Sequence, residues 1–159
     1  MIDESLIQTH KKFAIDLFNQ TWDLLEKADR SQMETDRMIH SAHASRYHWE
    51  FAGDIINIQR GEWMISHVYA ALRRVESCLY HANRCLEITL ENDIKDFDLA
   101  FAYEAMARGF DIAGNEVETA KYLTHAKQAV DQIKDAGDRK YFLSQLESIH
   151  QIEESENKK

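Results

Sequence analysis

Five residues able to bind a metal or move a proton recur at helical spacing between positions 36 and 50: Asp36, His40, His43, Tyr47 and Glu50. Steps of four, three, four and three put them on one line down one side of a helix, while Met38, Ala42, Trp49 and Ala52 mark an apolar side. Two histidines three apart with a carboxylate one turn away suit a divalent metal, provided a second helix supplies further ligands. If the first two helices pair antiparallel, residue numbers in contact sum to about 59 or 60. Asp16 then faces His43, Asp23 faces Asp36 and His10 lies near Glu50. A metal-dependent or histidine-based enzyme built on His40, His43, Asp36 and Asp16 is therefore one expectation. The other is that this line is a solvated or groove-lining face, since Asp16, Gln20 and Asp23 also read as the polar side of the first helix. His10 sits on the apolar stripe of that helix and reads as a satisfied core residue. No nucleophile elbow, phosphate loop, paired-cysteine motif or HExxH sequence supports catalysis, so the balance favours binding without chemistry and without a cofactor.

Cys78 and Cys85 stand seven apart on one expected helix, which separates their Cα atoms by about 10 Å, beyond disulfide reach. They read as reduced core residues. No base lies nearby to activate either thiol.

The chain of 159 residues contains no proline and only five glycines, so it lacks the punctuation of a β-rich fold, and an all-helical chain fits best. A formal charge of −9 opposes a phosphate backbone or an anionic bilayer, which argues against nucleic acid and membrane partners. No apolar run approaches the ~20 residues needed to span a bilayer. The acidic start, Met1-Ile2-Asp3-Glu4, is unlike a secretory signal, so a cytoplasmic location is expected.

About seven helices are expected. The first runs from Asp3 to about Ala28, with Leu6, Phe13, Leu17 and Leu24 on its apolar stripe. Ser31 and Glu34 form a capping box that opens the second, about 32–52. Ile55-Ile56-Asn57 looks too short to be helical, so the third is placed at about 58–72, with Arg73-Arg74 as a corner before the fourth, about 75–90. Asp96 or Asp98 is expected to cap the fifth, which ends near Ala113, and Asn115 the sixth, with Val117, Ala120, Leu123, Ala126, Val130 and Ile133 as its buried stripe. A last helix, about 139–152, completes a single domain over 1–152, and 153–159 reads as a charged disordered tail. Val75-Glu76-Ser77-Cys78-Leu79-Tyr80 returns as Val117-Glu118-Thr119-Ala120-Lys121-Tyr122, an offset of 42, and His81-Ala82 returns as His125-Ala126 at 44. Self-similarity of this kind marks stacked helical hairpins, each covering its neighbour's apolar face.

With small residues at Cys78, Ala82 and Cys85 after Val75, and Gly114-Asn115 before Val117 and Ala120, the stretch 58–133 resembles the tetratricopeptide repeat, although the period is longer, the closing proline is absent and Arg73 stands at the usual turn glycine. Arg46-Tyr47-His48-Trp49, Arg60-Gly61-Glu62-Trp63 and the run from Asp96 to Tyr103 also resemble a group of uncharacterised bacterial proteins, a likeness that implies no activity. The repeat resemblance implies a right-handed stack of antiparallel hairpins, an α-α superhelix, that binds a protein or peptide in a groove. Carried onto this chain, the groove would hold Arg60, Trp63 and His67 from one copy and Glu104, Arg108 and Asp111 from the next, with Arg46 and Tyr47 from the preceding helix. Arg, His and Trp can grip a carboxylate or an aromatic ring, whereas the acidic groups would select a basic or mixed peptide. The simpler expectation is that Trp63 is core and that Arg108 with Glu104 or Asp111 is a surface ion pair worth about 0.3–0.5 kcal/mol. A short stack rich in aromatics can also leave an apolar end exposed, which makes a homo-oligomer an expectation for light scattering to test.

Overall fold

A computed structural model describes residues 3–156, with side chains as far as residue 149. Seven helices, and no strand, occur among the described residues: α1 (Glu4–Glu26), α2 (Gln32–Ala52), α3 (Ile55–Ala71), α4 (Val75–Glu91), α5 (Asp96–Ile112), α6 (Glu116–Val130) and α7 (Ala136–Glu156). The chain is all-α, a stack of antiparallel hairpins. In α1/α2 the Ser45 hydroxyl donates to the Ala14 carbonyl (2.7 Å) and the Ser41 hydroxyl to Gln20 (2.6 Å), close to the register expected from the short turn. In α3/α4, Gln59 donates to Thr89 (2.9 Å) and Ser66 meets Cys78 (3.7 Å). In α5/α6, Tyr103 stacks on His125 and Phe110 on Tyr122. The odd-numbered helices also meet one another in parallel. Trp22 of α1 meets Trp63 of α3, Trp63 meets Phe101 of α5, and Phe101 meets Phe142 of α7.

The first turns and ends follow from local chemistry. Ser31 and Glu34 make both bonds of the expected capping box. Asp54 and Asn57 make another, so α3 starts at Ile55 rather than near Ile58; asparagine at the third position does the reciprocal work usually done by Glu or Gln. Asn115 caps α6 as expected. At α5 the cap position falls one residue before Asp96, whose carboxylate nevertheless accepts the Phe97 N–H at 2.7 Å. Lys95 occupies the cap position without a side-chain bond, Asp96 begins the helix at φ 59°, and Asp98 points instead at Arg60. The last helix begins three residues before the expected Arg139 and runs into the stretch expected as a tail, of which 157–159 lie outside the described residues.

The repeat is regular, but its period is 41. Helix α5 begins and ends 41 positions after α3, and α6 begins 41 after α4. Cys78, Ala82, Cys85 and Ile88 are buried, and so are Thr119, Leu123, Ala126 and Ala129, each 41 positions later. The offset of 42 pairs half-buried Val75 and buried Cys78 with positions that face solvent. Val117 is 77 % exposed and Ala120 is exposed, so the stripe of α6 runs through Thr119 instead. Successive hairpins approach closely at Gly61, where a Cβ would lie 2.7 Å from Arg46 Cγ and 3.3 Å from its Cα; the residue 41 on, Ala102, is buried and carries a Cβ, so the approach there is less tight.

The corners repeat too. Arg74 N–H donates to the Tyr69 carbonyl, Ile94 to Thr89 and Asn115 to Phe110, the six-to-one closure of a Schellman motif, with Arg73 (φ 53°), Asp93 (φ 51°) and Gly114 (φ 70°) left-handed. Arginine tolerates that geometry less well than glycine because its Cβ approaches the following carbonyl. Arg73→Gly should raise unfolding free energy by about 0.5–1 kcal/mol and Gly114→Arg should lower it by about 1 kcal/mol in urea titrations. Equal and opposite signs at these two equivalent corners are the expected result; a loss at Arg73→Gly would contradict it.

Candidate functional site

The layer of odd-numbered helices opens on one face into a groove of about 330 Å³. Phe18 and Trp22 come from α1, Gln59, Arg60 and Trp63 from α3, Phe97, Asp98 and Phe101 from α5, and Asp138 and Tyr141 from α7. The 41-residue period orders this lining. Phe18, Gln59 and Tyr141 occupy equivalent positions, as do Trp22 and Trp63, Arg60 and Phe101, and Phe97 and Asp138. Ring centroids step across the helices from Trp22 to Trp63 (5.8 Å), Trp63 to Phe101 (5.5 Å) and Phe101 to Tyr141 (5.9 Å). Such faces supply large contact area at low conformational cost.

Polar groups interrupt the ladder at one place. Arg60 Nε and Nη2 donate to Asp98 Oδ1 and Oδ2 at 2.8 and 3.0 Å, a bidentate clamp between α3 and α5 in which Asp98 is buried and Arg60 exposed. Gln59 spends its amide on Thr89 and on the Asp98 carbonyl (2.9 and 3.2 Å). Its Oε1 and Trp63 Nε1 are buried without a hydrogen-bond partner, an arrangement uncommon enough to point to a missing partner.

No family model matches the chain, and no curated protein or solved structure matches it significantly. What the molecule does has to be read from its own groove and surroundings.

The eight residues expected in the groove separate into different places. Arg60 and Trp63 line it. His67 lies behind them, stacked on Trp63 (4.9 Å, 19°) and beside Trp22 (6.0 Å); burial and then the Arg108 charge push its pKa down to about 3, so it is neutral at ordinary pH. Glu104 and Arg108 are not a surface pair. Glu104 is 0 % exposed, both Arg108 nitrogens that reach it contact Oε1 (2.6 and 2.5 Å), and Arg108 Nη2 also donates to the Gln145 carbonyl and Ser148 hydroxyl of α7. Asp111 lines a different cavity of about 510 Å³, bordered by the α5–α6 turn and the short or polar side chains of α6.

Arg46 and Tyr47 belong to a third site, where α2 and α4 flank α3. With His43, Glu50, Glu62, Ile65 and His81 they line a cavity of about 180 Å³. Glu62 is its hub, meeting His81 Nδ1 at 2.6 Å, Arg46 Nε at 2.9 Å and, through Arg46, Glu50. Burial pushes the Glu62 carboxyl up, but its bonds to His81 and Arg46 outweigh that and hold it below the usual range. His43 Nε2 meets the Tyr69 hydroxyl at 2.9 Å, and burial, followed by the charge of His81, depresses its pKa. The bonds of Arg46, Glu62 and His81 to one another tie three helices together.

The metal set expected from the sequence is not assembled. Asp16 pairs with Lys12, Asp36 accepts from Gln32, and His40 is exposed. Among the described residues no group of three His, Cys, Asp or Glu side chains converges to hold an ion. His10 is half-buried and shares a 2.8 Å hydrogen bond with His48 while stacking on Phe51, the two residues flanking the expected Glu50 neighbour within two positions. Cys78 and Cys85 are free and buried, and burial raises both thiol pKa values. No described helix is long and apolar enough to cross a membrane.

The ladder residues Phe18, Trp22, Phe97, Phe101 and Tyr141 were not among the expected site residues, because each also reads as part of an apolar stripe. The spacing of 41 between Trp22 and Trp63 was the available sign.

Proposed function

We propose that the chain is a helical-repeat module that binds a protein or peptide segment in the groove of α1, α3, α5 and α7, without catalysis. The observation that carries this reading is the ladder Trp22–Trp63–Phe101–Tyr141, partly open to solvent and broken by the Arg60–Asp98 clamp. A groove across four helices suits an extended or helical segment better than a small metabolite, because its rungs repeat along one direction. Cytoplasmic location and the kinship with tetratricopeptide repeats form part of the same proposal.

The test is to pan a phage-displayed dodecapeptide library against the full chain and to titrate the selected peptides by tryptophan emission. Binding should shift the emission and weaken about fivefold or more in Tyr141→Ala, as expected for an anchor worth over 1 kcal/mol. Recovery of no binder, or of binders indifferent to Tyr141→Ala and Arg60→Ala, would overturn the groove.

A further inference from the structure

We propose, building on the groove reading, that the groove selects a basic segment of a partner protein, with one lysine or arginine side chain laid against the aromatic ladder and facing the carboxylate of Asp138. Aromatic faces carry negative electrostatic potential and attract ammonium and guanidinium groups within about 6 Å of the ring centre. Six aromatic residues, Phe18, Trp22, Trp63, Phe97, Phe101 and Tyr141, line this one cavity.

Charge around the groove is complementary to a cation. Asp54, Asp98 and Asp138 all act on Arg60, and Glu26 and Glu104 act on Tyr141. Against these stand Arg60, committed to Asp98 by two hydrogen bonds, and Arg108, committed to Glu104. Asp138 is different. It is exposed on the rim and has no salt bridge or side-chain hydrogen bond among the described residues. It acts on Arg60 only through space, and because Asp98 already neutralises that guanidinium, the three groups together leave one net negative charge at the groove.

Gln59 supplies an independent indication. Its side chain is 1 % exposed, its amide nitrogen is used twice, and Oε1 has no partner. Buried beneath the aromatic faces, that oxygen adds negative potential to the groove floor without touching a ligand, next to the exposed Asp138 carboxylate. An anionic ligand would face both without compensation.

The experiment uses the peptides selected above. Lysine or arginine should recur in them, and replacing that residue by norleucine should weaken binding about 2–30-fold, the range of a cation–aromatic contact with its counter-charge. Asp138→Asn should weaken the same peptides about threefold and Asp138→Lys further, while leaving the norleucine peptide unchanged. Asp138 is exposed, so these variants fold, and unchanged tryptophan emission of the free protein checks it. Selected peptides that need Tyr141 but lack a basic residue, or that bind Asp138→Asn as tightly as the parent, would overturn the cation proposal and leave the groove standing. Peptides indifferent to Tyr141→Ala would remove both.

Discussion

Arg108→Met should lower the free energy of unfolding by about 3–5 kcal/mol, the usual cost of stranding one member of a buried ion pair. Glu104 remains at 0 % exposure whatever occupies position 108, and its Oε2 already lacks a partner. Without the guanidinium, its carboxylate has no counter-charge and little access to water. Two further bonds, to the Gln145 carbonyl and the Ser148 hydroxyl, are lost at the same time, and these tie α5 to α7. The paired change Glu104→Leu with Arg108→Met should recover most of the loss, because the apolar pair has no desolvation cost to offset. Urea titration of parent, single and paired variants measures both effects. A single-variant loss near 0.3–0.5 kcal/mol, typical of an exposed pair one turn apart, would show that the bridge is solvated after all.

The second large effect is acid sensitivity at His67. Its folded pKa, pushed down to about 3 by burial and by Arg108, lies below the ~6.5 of an unfolded histidine, so the unfolded chain binds the proton more readily. His67 therefore imposes no penalty above about pH 7, and stability drains away as the pH falls through 6.5 towards 3. Between pH 7 and 4.5 this one ring should remove about 2 kcal/mol. His43, also depressed by burial, acts in the same direction. His67→Phe keeps a ring against Trp63 while removing the titration, so its stability should fall by about 2 kcal/mol less over that interval. Parallel denaturation curves for the two proteins at pH 7 and 4.5 would refute the assignment.

Helical content and most boundaries were legible because they depend on neighbours in the chain: Ser31 with Glu34, Asn115 with Glu118, and the left-handed Gly114. The period is off by one residue because residues of identical type in different environments, half-buried Val75 and exposed Val117, outweigh buried positions filled by different residues of permitted size. Ala82 and Leu123 differ widely in size, yet both fill the interior of a hairpin. The site was only half legible for a related reason. Arg60 and Trp63 announce themselves by type, but whether Glu104 and Arg108 face water or a neighbouring helix depends on where α7 packs, which no spacing within α5 reveals. The line Asp36–His40–His43–Tyr47–Glu50 is real as a helical face, but only its second half, His43, Tyr47 and Glu50, borders a shared cavity beside α3 and α4, while Asp36 and His40 face solvent.

The four rungs of the ladder belong to four separate helices, and no flexible segment lies between a rung and the rod that bears it. A tilt of one hairpin against the next therefore behaves as a lever, and small rotations at contacts as tight as that of Gly61 with Arg46 accumulate from one end of the stack to the other. A ligand bound across the four rungs, as proposed, would sense that curvature, so a rotation between hairpins would loosen or tighten it without altering a single lining side chain.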